Sequence, residues 1–374
     1  MRGRRIRLRG TGPAALVLAK LLLDRWAEVV IDAPVSRKRR VVSIPMETVA
    51  LAAHLFEIEL DQLTTGCMVR ERRVDWSTDG PAVMPDSALV CDIGDFCTVL
   101  ASSLRGATIA GAVEDEDADW IIDATGRPAA AGLHGGERVG YSARIADAAP
   151  ESFTSITATA DGWIFTSPHV DGGLAVLLVA PSLSTADPTV EGIADRLARA
   201  GRSVASGAVI DISRPELLAP RLSTSLWDSN QLAAGDAAFA LDPLRGDGIG
   251  FALRGALLAQ AVVAAIENGQ DRSRCMAHYE ERIYGAFAGH LRGCCAHYRA
   301  ARSPLIWSRD VTAMEELAKR LDRGAGTLAF RLAGVDLVPF SSSGAAGSQP
   351  AEIPRDTGGL RARRSTLGGR RVIQ

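Results

Sequence analysis

Lysine is scarce in this chain: of 42 basic residues only Lys20, Lys38 and Lys319 are lysines, and arginine supplies the rest. Net charge is nearly absent too, at −2 over 374 residues, so no global field calls for nucleic acid, an anionic membrane or an acidic partner. The arginines crowd both ends, at Arg2, Arg4, Arg5, Arg7 and Arg9 and again at Arg361, Arg363, Arg364, Arg370 and Arg371, and read as solvated tails. Cysteine is sparse, and its positions 67, 91, 97, 275, 294 and 295 include no CxxC spacing, which argues against a structural zinc site. With no secretory signal in front of them, reduced thiols in a soluble, cytoplasmic protein are expected. No apolar run is expected to reach the length of a membrane span, because charge interrupts the longest apolar helical stretches.

What is present begins at the N-terminus. Ile6-Arg7-Leu8 reads as a short strand entering Gly10-Thr11-Gly12-Pro13-Ala14-Ala15. A helical pattern through Leu16, Leu18, Ala19, Leu22 and Leu23 follows, then a second strand, Glu28 to Asp32, that ends in an acid. That is a strand–turn–helix–strand unit with a G-x-G-x-x-A fingerprint and an acid about twenty residues on. The first glycine permits the tight turn, the second lets backbone approach a pyrophosphate, and Ala15 allows close helix–strand packing. Asp32 is suited to ribose hydroxyls.

Residues 235–256 are the most informative stretch. Leu232-Ala233-Ala234 reads as a buried strand ending at Gly235-Asp236, followed by Asp242-Pro243, then Gly246, Gly248 and Gly250 and a long Ala/Leu/Val helix. An acid at a strand end and a glycine-rich turn at a helix start suit a phosphorylated cofactor: the acid takes a sugar hydroxyl, and the helix start supplies unpaired N–H groups. Between the two lies a third strand ending, Trp120-Ile121-Ile122-Asp123-Ala124-Thr125-Gly126-Arg127.

The middle of the chain reads as antiparallel sheet. Runs at Val139–Ile145, Ser152–Thr159, Trp163–Ser167 and Leu174–Val179 are separated by turn signals at Asp161-Gly162 and Asp171-Gly172-Gly173. A helix over 190–200 and a strand over 208–212 follow. Short strands are also expected between 66 and 90, and a helix from Asp92 to Leu104. Met276 to Ala301 reads as a long helix whose aromatics pack on the cofactor domain and whose His290 and His297 are partly exposed. Adjacent Cys294 and Cys295 read as small apolar packing residues. Two histidines a heptad apart, with no third ligand, do not make a metal site.

Three ordered motifs carry a resemblance. G-x-G-x-x-A, Asp-Ala-Thr-Gly and GDAAxxxDPxxGxG resemble those of FAD-dependent monooxygenases of the p-hydroxybenzoate hydroxylase fold. The stretch Ser303 to Asp310 is similar to the tryptophan halogenase-like branch, which includes quinone-cofactor maturation flavoproteins. The resemblance covers roughly residues 5–310. It implies an α/β fold: a Rossmann-like FAD-binding domain with an inserted antiparallel β-sheet substrate domain and C-terminal helices. The implied boundaries are 1–135 and 226–275 for the FAD domain, with an excursion near 40–90, then 136–225 for the substrate domain, 276–340 for the helical region and 341–374 for a disordered tail.

The implied cofactor is FAD, held by Gly10, Gly12, Ala14, Ala15, Asp32, Arg40, Gly126, Gly235, Asp236, Pro243, Gly246, Gly248 and Ile249. The implied reaction hydroxylates an electron-rich ring, a tryptophan or phenol, free or peptide-borne, through a flavin hydroperoxide. Molecular oxygen is the co-substrate and NADH or NADPH the reductant, used directly or through a flavin reductase; no nucleic acid or membrane partner is implied. No catalytic residue is assigned; His169 is a speculative acid/base that reads better as surface loop. The chain departs from the pattern at Val41-Val42-Ser43-Ile44-Pro45, where the family has Gly-Glu-Ser-Leu-Pro, and at Ile93 in place of an arginine. Halogenation is disfavoured, because those enzymes use a lysine and a Trp-x-Trp-x-Ile-Pro motif, of which Gly162–Pro168 keeps one Trp and the Pro. An FAD-dependent dehydrogenase or reductase, and an accessory flavoprotein that binds a peptide without turnover, are the alternatives.

Overall fold

In the computed structural model the first unit is β1 (Arg5–Arg9), α1 (Pro13–Leu23) and β2 (Glu28–Ile31). The structure describes residues 5–25, 28–32, 40–105, 107–109, 118–126, 132–146, 148, 151–202, 204–205, 208–322 and 328–340. Arg37, Lys38, Arg39, Arg127 and the expected tail 341–374 lie outside them. Met1–Val338 form one unit, which holds every helix described, and Pro339–Gln374 a second, of which only Pro339 and Phe340 are described. Helix α1 is apolar on nearly every face and buried from Ala14 to Ala19, as a helix enclosed between a sheet and other helices must be. Pro13 sits in its first turn, where a missing N–H costs nothing.

An excursion follows: β3 (Val41–Pro45), α2 (Met46–Phe56), α3 (Leu60–Leu63), β4 (Cys67–Asp75), β5 (Ala82–Asp92) and α4 (Ile93–Ser102). Asp92 caps α4 by accepting the N–H groups of Gly94 and Asp95. Then come β6 (Thr108–Ile109), β7 (Trp120–Asp123), β8 (Leu133–His134), β9 (Val139–Ile145), β10 (Thr154–Thr159), β11 (Gly162–Pro168) and β12 (Leu174–Ala180). The antiparallel runs fall within a residue or two of their expected places. Helix α5 (Val190–Arg199) precedes five short strands, β13 (Val209–Ile210), β14 (Glu216–Leu217), β15 (Arg221–Leu222), β16 (Trp227–Asp228) and β17 (Gln231–Ala233). The chain closes with β18 (Phe239–Ala240), α6 (Gly248–Glu267), α7 (Arg272–Arg299), α8 (Ser308–Asp322), β19 (Phe330–Ala333) and β20 (Asp336–Pro339).

Two sheets organise these elements. One runs β16-β17-β7-β1-β2-β6 and is parallel except at β16. The larger runs β13-β9-β12-β11-β10-β4-β5-β3, with β14 also on β9. Its pairings are antiparallel apart from β4 with β10, through which the 41–92 excursion joins the inserted strands in one sheet. The outer face of this sheet buries Tyr141, Ile145, Ile164 and Val176 beneath Ile193 and Leu197 of α5. Its inner face joins the main core, which the parallel sheet and α1, α6 and α7 share.

Two expectations need correcting. Helix α6 is long and apolar enough to cross a bilayer by length and composition, because Arg254 is its sole charge before the terminal Glu267. Most of its surface is instead buried in the protein, with Leu253, Ala256, Ala259 and Val262 fully enclosed. In α7, His290 is buried and His297 alone is exposed. Cys294 and Cys295 pack in the apolar core as expected, and the Cys294 thiol also lies 3.3 Å from His290 Nε2.

His278, also on α7, is 1% exposed, stands edge-on to Phe330 at 5.5 Å, and has no hydrogen-bond partner on either ring nitrogen. Burial, helped by the Arg282 charge, pulls its pKa down to about 4. The folded state therefore resists a proton that the unfolded chain accepts below pH 6.5. The stability that neutral His278 permits is complete above pH 6.5 and lost as the pH falls toward 4. Denaturant titrations at pH 7 and pH 4.5 should show a drop in the wild type that is smaller in His278→Phe.

Candidate cofactor site

The parallel sheet brings the separate motifs into one row. Leu8 stands beside both Ile31 and Ile122, and Asp123 beside both Arg9 and Ala233. The ends of β1, β2, β7 and β17 therefore lie side by side at the carboxyl edge, and the Gly10–Gly12 turn, Asp32, Asp123–Gly126 and Gly235–Asp236 all leave from it. In parallel α/β sheets that edge is where ligands bind. Backbone bonds hold the row together: Asp32 N–H donates to Leu8 O at 2.8 Å, Ala124 N–H to Arg9 O at 2.8 Å and Ala234 N–H to Asp123 O at 2.8 Å.

The small residues are required by close approach. Gly10 has φ +103°, and a Cβ there would lie 2.4 Å from the Ala124 carbonyl oxygen. Gly235 has φ +59°, and its Cβ would lie 2.6 Å from the methyl of Ala14, with Gly255 of α6 alongside. Ala14 and Ala15 thus work as packing residues, which lets α1 and α6 reach the strand ends. By contrast, a Cβ on Gly12, Gly126, Gly246 or Gly248 would meet nothing within 4 Å. Those four border open space, as backbone that receives a ligand must.

The residues present fit a dinucleotide. Gly12 is the N-cap of α1 and makes no side-chain cap, and Asp247 precedes α6 without one. Each helix start thus lacks a capping side chain over its first N–H groups. Between β18 and α6, Asp242 Oδ1 accepts the Leu244 N–H at 2.9 Å and opens a turn over Pro243–Arg245 that closes at Gly246, φ +66°. The Thr48 hydroxyl of α2 is buried without a partner beside Gly250, one residue beyond Ile249. Asp247 pairs with Arg254 at 2.7 Å, and burial raises its pKa against that arginine's pull.

Asp32 arrives with a cation. Arg7 of β1 donates to its Oδ2 from Nε at 3.0 Å and from Nη2 at 2.6 Å. Alternation along β1 could have suggested this, since Arg5, Arg7 and Arg9 share one face of the strand. Asp236 faces Arg221 of β15, whose pKa burial lowers while the Asp236 charge opposes the shift. Arg40 is exposed immediately before β3 of the other sheet, and its carbonyl accepts the Ile93 N–H at 3.0 Å. The structure does not bring it into the row. His169 lies in the β11–β12 turn, where its Nδ1 accepts the Asp171 N–H at 3.1 Å; it is turn structure. Among the described residues no group of three or more His, Cys, Asp or Glu could hold a metal ion.

Behind the turn that follows Asp242 lies a buried cluster that sequence reading missed. Arg138, 0% exposed, forms ion pairs with Asp242 Oδ2 at 2.8 Å and Asp310 Oδ1 at 3.0 Å. Tyr298 O–H donates to Asp242 Oδ2 at 3.0 Å and accepts from Trp163 Nε1 at 3.2 Å. The surviving Trp of the halogenase-like strand is therefore committed to this cluster. The signal available in sequence was the spacing of His290, Cys294 and Tyr298 at i, i+4 and i+8, a single helix face.

Gly10→Ala should cost about 2–4 kcal/mol, from a positive φ and a blocked approach to Ala124. Gly12→Ala should stay within about 1 kcal/mol, since its Cβ would meet open space. Urea unfolding of the two variants checks the contrast.

No family model matches the chain, and no curated protein matches it. Solved structures do. A peptidyl tryptophan dihydroxylase, QhpG, essential for tryptophylquinone cofactor biogenesis, aligns with a TM-score of 0.70 at 22% identity, over 82% of this chain and 78% of its own. The myxobacterial chondrochloren halogenase CndH, an FAD-dependent enzyme, aligns at 0.68 and 17%, over 87% and 91%. The p-nitrophenol 4-monooxygenase PnpA of Pseudomonas putida aligns at 0.63 and 17%, over 86% and 95%. At such identities the likeness concerns architecture, and the chain has the fold shared by these flavin-dependent halogenases and aromatic monooxygenases.

Proposed function

We propose that the protein is an FAD-dependent monooxygenase that hydroxylates an electron-rich aromatic ring, a tryptophan or phenol, free or peptide-borne. The observation that carries this reading is the convergence of the motif strand ends on one sheet edge bordered by glycines that face open space. In it the α1 N-terminus at Gly12 would hold the pyrophosphate, Asp32 the adenosine ribose and Asp236 the ribityl chain. Pro243, Gly246, Gly248 and Ile249 would border the ring system. Bound FAD supplies the oxygen activation; the chain's part is to hold the ring, orient the substrate against it and keep water out. The reductant is NADH or NADPH, used directly or through a flavin reductase.

The large, mostly antiparallel sheet is the substrate side, so the domain division is 1–135, less the excursion over 41–92, with 226–275, and 136–225 with that excursion. Hydroxylation is favoured over halogenation by the lysines. Lys20 of α1 pairs with Asp24 at 3.1 Å, and Lys319 lies on α8. Neither of these described lysines belongs to the large sheet, and Lys38 lies outside the described residues. Six free cysteines fit a cytoplasmic setting.

The test begins with FAD titration of purified protein. Wild type should bind with a flavin spectrum, and Asp236→Ala should bind at least about tenfold more weakly, a loss near 1.4 kcal/mol. Reduced enzyme given tryptophan-containing peptides or phenols should then take up oxygen and place an ¹⁸O label from O₂ in the ring. Brominated product in the presence of bromide, or substrate oxidation with no label incorporated, would sink the hydroxylase assignment.

A further inference from the structure

The cluster around Arg138 joins four parts of the fold at one carboxylate. Arg138 immediately precedes β9 of the large sheet, and its own carbonyl accepts the Leu218 and Ala219 N–H groups at 2.8 and 3.2 Å, so its backbone is anchored. Asp242 is held on every side. Arg138 and Tyr298 meet its Oδ2, Leu244 N–H meets its Oδ1, and its own amide donates to His290 Nε2 at 3.0 Å. Because that backbone N–H can only donate, His290 Nε2 is an acceptor and the ring proton sits on Nδ1. Asp310 of α8 is built in with equal care: it accepts the Glu137 N–H at 2.8 Å, and Gly136, at φ +123°, leaves no Cβ in the way of its Oδ1.

The charges do not balance within this group. Two carboxylates, each under 5% exposed, share one guanidinium. Burial raises the Asp310 pKa against the pull of Arg138. An apolar cluster of equal volume is often as stable as a buried ionic one or more so, and what a buried ionic cluster supplies in some proteins is a single geometry. Here the geometry belongs to Asp242, the residue that opens the turn to Gly246.

We propose that Arg138 is a positioning residue: acting through Asp242, it fixes the Pro243–Gly248 turn in the shape that receives the cofactor. The cofactor consequence rests on the FAD reading; the effect on the turn does not. Removing Arg138 alone leaves two buried carboxylates without their cation, so the informative variant is Arg138→Met combined with Asp310→Asn. That pair removes one charge of each sign.

Amide hydrogen exchange of the cofactor-free full chain reads the turn directly. Exchange at 244–248 should quicken at least about tenfold in the double variant and stay at the wild-type rate in Asp310→Asn. Arg138→Lys with Asp310→Asn should recover part of the protection, since a charge returns without the fork. FAD affinity should fall by about tenfold in the double variant only, and the visible circular dichroism of bound flavin should change with it. Unchanged exchange in the double variant would overturn the proposal. Wild type that binds no FAD while the turn still loosens would overturn the FAD reading and leave the role of Arg138 in the turn intact. Should the double variant not fold, Arg138→Lys alone keeps every charge and loses the fork that spans Asp242 and Asp310. It should quicken exchange by about threefold, and no change there would equally overturn the proposal.

Discussion

The site depends on how closely backbones can approach at one sheet edge. The Gly10 turn lies against the Ala124 carbonyl, and Gly235 lies against the Ala14 methyl, at separations no larger side chain permits. These contacts place the β1, β7 and β17 turns within reach of one ligand. They also let α1 and α6, two helices with little polar surface, pack beside the strands with their N-termini at the same edge. The polar groups at that edge, Asp32, Asp236 and the helix starts, lie close together because the small residues allow it.

The two sheets divide the labour. The parallel sheet draws its strands from three separate parts of the chain, β1, β2 and β6, then β7, then β16 and β17. The chain between β7 and β16 supplies most of the antiparallel sheet, and the 41–92 excursion completes it through the parallel β4–β10 pairing. Arg138 immediately precedes β9 and Trp163 lies on β11. Both reach Asp242 or its partner Tyr298, so the large sheet and the turn before α6 are joined by a buried polar cluster as well as by apolar packing. A guanidinium with no access to water keeps its charge through its neighbours: burial opposes it, and Tyr298, Asp242 and Asp310 outweigh the penalty.

Local patterns were readable where chemistry is local. Glycine and proline punctuation placed the α1 and α6 starts, alternation placed β9 to β12, and an acid at a strand end marked Asp32 and Asp236. The motif order implied the architecture. What could not be read were partners distant in sequence. Arg138 and Asp310 stand 172 positions apart, and no local pattern distinguishes either from a surface charge. Arg40 illustrates the reverse: a basic residue near a motif, placed by the fold immediately before a strand of the other sheet.

By itself, then, the sequence determined which segments are strands and helices, where backbone must be bare, and which strand ends carry an acid. Those properties come from side-chain size, branching and periodicity within a few residues. Only the tertiary structure decided that Asp32 shares its oxygen with Arg7, that Trp163 serves Tyr298, and that Asp242 sits at the centre of a buried ionic cluster. Such pairings are settled by which surfaces exclude water together. That is a property of the packed chain, and no single stretch of it carries the information.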